Sequence, residues 1–281
     1  MSDILQMSYP AEVQIPAQLV AEAVALSAAL TRQVLVVLDD DSTGTQSVSD
    51  LPVLTRWDAP DFTWAFAQGK TAVYVLTNTR SLDPAEAAAR NEEIVRNAIS
   101  AADAGEFPLR VGFVSRGDST LRGHFPLEPD AIAATFAAVS GEATDGVVIV
   151  PAFPDAGRVT IGGVHYMRGT GEEAGQLTPV SETEFAKDAS FGFTNSELAK
   201  YVAEKSQGRY PASSVIVLDL DIIRAAGPDG DPSGLPKAPQ RSPSSPPQAC
   251  CRLQCPAAAT PRPRSPSLSS QSDSDPLACH T

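Results

Sequence analysis

Cysteine is missing from the first 249 residues of this 281-residue chain; all four, Cys250, Cys251, Cys255 and Cys279, come after them. The body therefore has nothing to crosslink, and a disulfide-stapled fold is excluded. Long apolar runs are also missing. The most membrane-like stretch, Ala17 to Leu30, carries Glu22 and is shorter than the roughly 20 apolar residues that span a bilayer. With Asp3 at the front and no basic region before that stretch, it does not read as a signal peptide. The expected location is the cytoplasm. Positive charge is scarce too, with 21 Lys and Arg against 34 Asp and Glu, a net charge of -13 and a pI near 4.6. Nucleic acid and anionic membrane surfaces are thereby excluded as main partners, because the field of the whole molecule repels both. A small anion needs a local basic pocket. Finally, no GxxxxGK[ST] phosphate loop occurs anywhere.

What is present is enough to fold. The 42% hydrophobic content builds a core, and the length suits one large or two modest domains. The order of residues gives an N-terminal helical lead-in over 1–32, a body over 33–227 and a tail over 228–281. The tail holds 12 of the chain's 24 prolines and 10 serines, without helix or strand period. It reads either as a natural disordered segment or as a shifted reading frame that replaces a real C-terminal domain. Cys250, Cys251 and Cys255 lack a second CxxC or paired histidines and do not read as a metal site.

In the body, short β-branched runs predict buried parallel strands at Val34 to Leu38, Ala72 to Thr77, Arg110 to Ser115, Gly146 to Val150 and Ser214 to Leu218. Helices are expected at Pro84 to Ala102, with Asp83 as N-cap, and at Leu127 to Val139 and Ser196 to Gln207. The fold class is α/β: an open, mostly parallel sheet flanked by helices, with ligands beyond the carboxyl ends of its strands.

Polar clusters follow the first three strands: DDDSTGTQ from Asp39, TNTRS from Thr77 and SRGDSTLRGH from Ser115. A parallel sheet gathers them at one edge. Asp40 and Asp41 suit a polyol or a magnesium ion, Ser42 to Thr45 offer hydroxyls and backbone N–H groups to an oxyanion, and Arg116 and Arg122, with Arg80 nearby, suit a carboxylate or phosphate. Acidic and basic groups together point to a hydroxylated acid. Each also has a plainer reading. Asp39 ends a strand or caps a turn, Asp118 and Arg122 form a solvated i,i+4 pair, and His124 caps or packs.

VLVVLDDDST also fits the Asp-x-Asp-x-Thr signature of haloacid dehalogenase-like phosphatases, with Asp39 as nucleophile, Asp41 as acid/base and Thr43 alongside. That signature needs a lysine at a strand end, and Lys70, Lys187, Lys200 and Lys205 do not supply one. A longer set of blocks, LDDDSTGTQSV, VLTNTRSL, SRGDSTLRGHFPLE, VPAFPDAGRVTIGGVHY and PVSETEFAKDASFGF, resembles the N-terminal, substrate-binding domain of the four-carbon acid sugar kinase family. The resemblance implies an ATP- and Mg2+-dependent transfer of phosphate to a hydroxyl of threonate, erythronate or a 3-oxo-tetronate. It places substrate contacts on Asp40, Asp41, Thr43, Gly44, Ser115, Arg116, Asp118, Arg122 and His124, with Asp40 or Asp41 orienting or deprotonating the hydroxyl. In that family a glycine-rich loop in a C-terminal domain holds the nucleotide. Here Gly227, Gly230 and Gly234 stand among prolines instead, so a truncated, inactive half or a non-catalytic acid-binding module is implied.

Overall fold

A computed structural model describes residues 14–105, 109–171, 174–226 and 248–252. The first sheet is built from β1 (Gln33–Asp39), β2 (Val53–Leu54), β3 (Ala72–Leu76) and β4 (Arg110–Arg116), all parallel, in the order β2-β3-β1-β4. Its central strand alternates little: Val36, Val37 and Leu38 are all buried, as expected where helices cover both faces.

The helices α1 (Ala17–Thr31), α2 (Ala59–Ala67), α3 (Pro84–Asp103) and α4 (Leu127–Ser140) connect or flank these strands. α3 begins where the sequence predicts. The Asp83 carboxylate accepts from the Ala85 and Glu86 amides at 2.9 Å each, a cap worth about 1 kcal/mol, and proline takes the first turn. Its apolar stripe of Ile94, Val95, Ala98 and Ile99 packs against Val36, Val73 and Val75 and against Phe62 of α2 in one buried cluster. Each such aliphatic side chain contributes roughly 1.5–3 kcal/mol by leaving water. The rigid frame under the strand ends comes from this cluster.

A second parallel sheet joins β5 (Gly146–Ile149) and β9 (Ile216–Leu218) through β10 (Gln248–Arg252). β10 lies in the proline-rich stretch, where no strand period is legible. The rest of the expected disordered tail, with Gly227, Gly230 and Gly234, lies outside the described residues. A third, antiparallel sheet of β6 (Arg158–Ile161), β7 (Val164–Arg168) and β8 (Leu177–Pro179) was not expected. Its first turn is Gly162-Gly163, both at positive φ (55° and 81°), the backbone a two-residue hairpin demands. Helices α5 (Leu198–Lys205) and α6 (Leu220–Ala226) complete the fold. α5 presents Leu198, Tyr201 and Val202 to Leu121, Val180 and Phe193, so the arginine-bearing loop after β4 rests on a core of its own.

Among the described residues no helix is long and apolar enough to cross a membrane.

Candidate functional site

Register sets the site. Asp39, the last residue of β1, stands level with Leu76 on β3 and Arg116 on β4, so the three polar loops leave the sheet side by side. Main-chain bonds stitch them together. The Thr77 amide and hydroxyl both donate to the Asp39 carbonyl at 2.9 Å, the Asp40 amide donates to the Arg116 carbonyl at 3.2 Å, and the Arg80 amide donates to the Asp40 carbonyl at 3.2 Å. His124 completes the lacing: its Nε2 lies 3.1 Å and 3.0 Å from the Thr79 and Leu82 carbonyls, and its ring meets Phe191 edge-on.

The three aspartates are kept apart by their partners. Arg80 embraces Asp40 with Nε and Nη2 at 3.0 Å and 2.6 Å and reaches Asp41 with Nη1 at 2.8 Å. Asp40 is 2% exposed, and burial pushes its pKa above the ordinary carboxylate value while Arg80 pulls it back. The same pairing holds Arg80 above its own ordinary value. The two directions describe one pair; with both Asp40 oxygens hydrogen-bonded to guanidinium, the ionised pair is the state the geometry supports.

Asp39 is fully buried, with Oδ1 receiving Arg116 Nη1 at 3.1 Å; among the described residues no donor reaches its Oδ2. Burial raises its pKa, against the pull of Arg116. An oxygen so enclosed cannot attack a phosphate, so the phosphatase assignment of Asp39 as nucleophile does not fit. Asp39 instead ends the strand and fixes Arg116. Gly44 is required here by close approach: a Cβ at that position would overlap Asp39 Oδ2 and Arg116 Nη1.

The loop after β4 carries the second half of the site. Asp118 accepts from the Thr120 amide at 3.1 Å, from the Thr120 hydroxyl and from Arg122 Nε at 2.7 Å. Burial alone would raise the Asp118 pKa; the Thr120 and Arg122 hydrogen bonds outweigh it and hold the carboxyl below its ordinary value. Arg122 lies over the Phe185 ring at 5.0 Å, with Nη1 3.9 Å from Asp188. The pair is thus part of a half-buried network rather than a solvated helix pair. Gly123, at φ 127°, passes so close that a Cβ would sit 3.1 Å from Asp40 Oδ2, which places the arginine loop against the aspartates.

Of the residues singled out in the sequence, Asp40, Asp41, Arg116, Asp118 and Arg122 thus share one strand-end rim. Asp41, Arg116 and Arg122 keep about 30% of their side chains exposed (31%, 30% and 29%), whereas Asp40 is enclosed. Ser115 is exposed on the same strand end. Thr43 is exposed and its amide donates to Asp41 Oδ1 at 3.0 Å; the Gly44 amide donates to the Asp41 carbonyl at 3.1 Å, so both shape the aspartate turn. A cavity of about 750 Å³ opens from Arg116, Asp118, Arg122 and His124 along β4 and β5. Missed in the sequence were the centrality of Arg80 and a buried Asn91–Glu128 pair (3.2 Å) behind the rim, whose Glu128 pKa burial raises.

Residues 35–227 match the family described as the sugar-binding N-terminal domain, which is more than half of the chain. The chain belongs to this family. The sequence blocks that resemble the four-carbon acid sugar kinases lie within these residues. No curated protein matches. Solved structures match over part of their length. A Bordetella bronchiseptica protein of the DUF1537 family, with bound citrate and a domain-swapped dimer, is 22% identical (TM-score 0.47, covering 79% of this chain and 48% of that one). A Salmonella typhimurium LT2 protein is 17% identical (TM-score 0.47, 79% and 47%), and a Haemophilus influenzae DUF1537 protein is 14% identical (TM-score 0.46, 78% and 48%). The chain spans about half the length of these proteins.

Proposed function

We propose that this domain binds a small hydroxylated carboxylic acid, of the threonate, erythronate or 3-oxo-tetronate type, as the substrate-holding half of an ATP-dependent sugar acid kinase. The observation that carries the reading is that Asp41, Arg116 and Arg122, each about 30% exposed, lie on loops leaving the same edge of one parallel sheet, inside the stretch matching a sugar-binding family. Guanidinium groups suit the ligand's carboxylate, and a carboxylate suits its hydroxyls. Arg80 and Asp39 touch these groups from behind and set their aim, which is the preorganisation that makes a polar site selective.

In this reading Asp41, 31% exposed with its oxygens on Arg80 and the Thr43 amide, orients or deprotonates a ligand hydroxyl, and Asp40, enclosed and gripped on both oxygens by Arg80, holds the loop. In the kinase reading ATP with magnesium supplies the phosphoryl group. Among the described residues no three carboxylate, imidazole or thiol groups stand together as an ion cage, and Asp40 spends both oxygens on Arg80. No step through the metal is assigned to this chain.

The test is calorimetric titration of the protein with threonate and erythronate, beside the uncharged polyol erythritol. The reading expects saturable binding of an acid and not of the polyol. Equal behaviour of acids and polyol overturns it.

A further inference from the structure

The block VPAFPDAGRVTIGGVHY folds into the β6–β7 hairpin, and the acid-binding rim described so far does not use it. At its centre is His165, fully buried, with Thr160 1% exposed beside it. The imidazole is held by two close contacts, with the Val159 main chain also beside it. Nε2 lies 2.7 Å from the carbonyl oxygen of Ser119, and Nδ1 lies 2.9 Å from the Thr160 hydroxyl. A carbonyl only accepts, so Nε2 carries the proton and the Ser119 carbonyl selects that tautomer; in the neutral ring the Thr160 hydroxyl, which can donate or accept, donates to the bare Nδ1.

The Ser119 carbonyl belongs to the peptide whose N–H is the Thr120 amide, and that amide donates to Asp118 Oδ1 at 3.1 Å. A peptide is planar, so fixing its oxygen fixes where its N–H points. Two residues on, Leu121 holds a positive φ of 68°, uncommon for a bulky side chain, and its carbonyl is caught by the Tyr201 hydroxyl at 2.9 Å. The loop that presents Asp118 and Arg122 is therefore held from behind at two successive points, and one of them is a single imidazole in one tautomer.

We propose that His165 is a positioning residue for the acid-binding loop: in its Nε2–H tautomer, with Nδ1 capped by Thr160, it orients the Ser119–Thr120 peptide and through it the Asp118–Arg122 pair. The proposal rests on the acid-binding reading for its consequence but not for its geometry. The charged groups facing the ring are Arg158 from β6 and Asp118 from the loop; burial and Arg158 both disfavour the imidazolium.

Three readouts on the whole protein test it. Nitrogen-15 NMR of the imidazole is expected to show a protonated Nε2 and a bare Nδ1 at pH 7.5. Amide exchange of Thr120, measured without ligand, is expected to accelerate at least tenfold in His165→Leu and to return towards wild type in His165→Gln, whose amide N–H replaces the donor. Erythronate affinity is expected to fall about tenfold in His165→Leu with recovery in His165→Gln. A protonated Nδ1, or Thr120 exchange unchanged in His165→Leu, overturns the proposal; should that variant not fold, Thr120 exchange unchanged in His165→Phe, which keeps a ring but no donor, overturns it. If the wild type binds no acid, the functional reading fails while the NMR and exchange readouts still decide the role of His165.

Discussion

Arg80→Ala tests the architecture of the rim. The guanidinium makes three hydrogen bonds to two aspartates, and one of these, Asp40, is 2% exposed. Removing it leaves a buried carboxylate without its counter-charge. Breaking a buried pair in this way typically costs about 3–5 kcal/mol. Arg80 is itself 19% exposed, so water can enter the space it vacates, and the lower end, about 3 kcal/mol, is expected near pH 8. Asp40 can also escape by taking a proton. Burial already raises its pKa, and the loss of Arg80 removes the strongest opposing influence. A carboxyl whose folded pKa lies above its unfolded value of 3.8 penalises the folded state when ionised, so the variant's deficit is fully present above the folded pKa and shrinks as the pH falls through it. Urea denaturation of wild type and variant, followed by circular dichroism from pH 8 to pH 5, measures this directly. Arg80→Ala/Asp40→Asn should recover much of the loss at pH 8, because no charge remains to be stranded. A cost below about 1 kcal/mol that does not change with pH would refute the claim that Arg80 offsets an enclosed Asp40.

Other substitutions probe the neighbouring contacts. Gly44→Ala forces a methyl into Asp39 and Arg116, and should destabilise by about 1–3 kcal/mol in denaturant melts. Tyr201→Phe strands the buried Leu121 carbonyl, for about 1–3 kcal/mol in the same assay. Arg122→Ala should weaken acid binding by about 1.5–3 kcal/mol in calorimetry, with Arg122→Lys only partly restoring it, since a lysine cannot reproduce the guanidinium fork. For His165 the folded pKa lies below its unfolded value of 6.5, so its contribution is intact above that pH and lost as the pH falls below it. Relative to His165→Gln, the wild type should lose stability below pH 6.5 with a slope of at most about 1.4 kcal/mol per pH unit in pH-dependent melts.

Much of the frame was legible because its signals are local. β-branched runs ending in polar clusters marked β1, β3 and β4, and the parallel arrangement then brought their loops to one edge. Asp83 followed by proline marked the start of α3. The partners of the aspartates were less legible, since nothing near Arg80 in sequence distinguishes it from Arg116 or Arg122. Its role follows from the one-residue detail that its main chain bonds Asp40 as well. The β6–β7 hairpin carried a Gly-Gly turn between β-branched residues, a signal strong enough to read but set between the parallel strands that dominated the pattern. His165 was invisible for a different reason: a lone histidine on an apolar strand reads as core, and only its contact with Ser119, 46 residues away, ties it to the rim.

The central claim is that Arg116 and Arg122 form the anion-gripping side of a sugar acid site. Calorimetric titration of wild type and an Arg116→Ala/Arg122→Ala variant with erythronate and threonate at low and high salt tests it most directly. The account predicts saturable, salt-weakened binding of at least one acid to the wild type, and its loss in a variant that still unfolds cooperatively. Equal acid binding by the two proteins would contradict it.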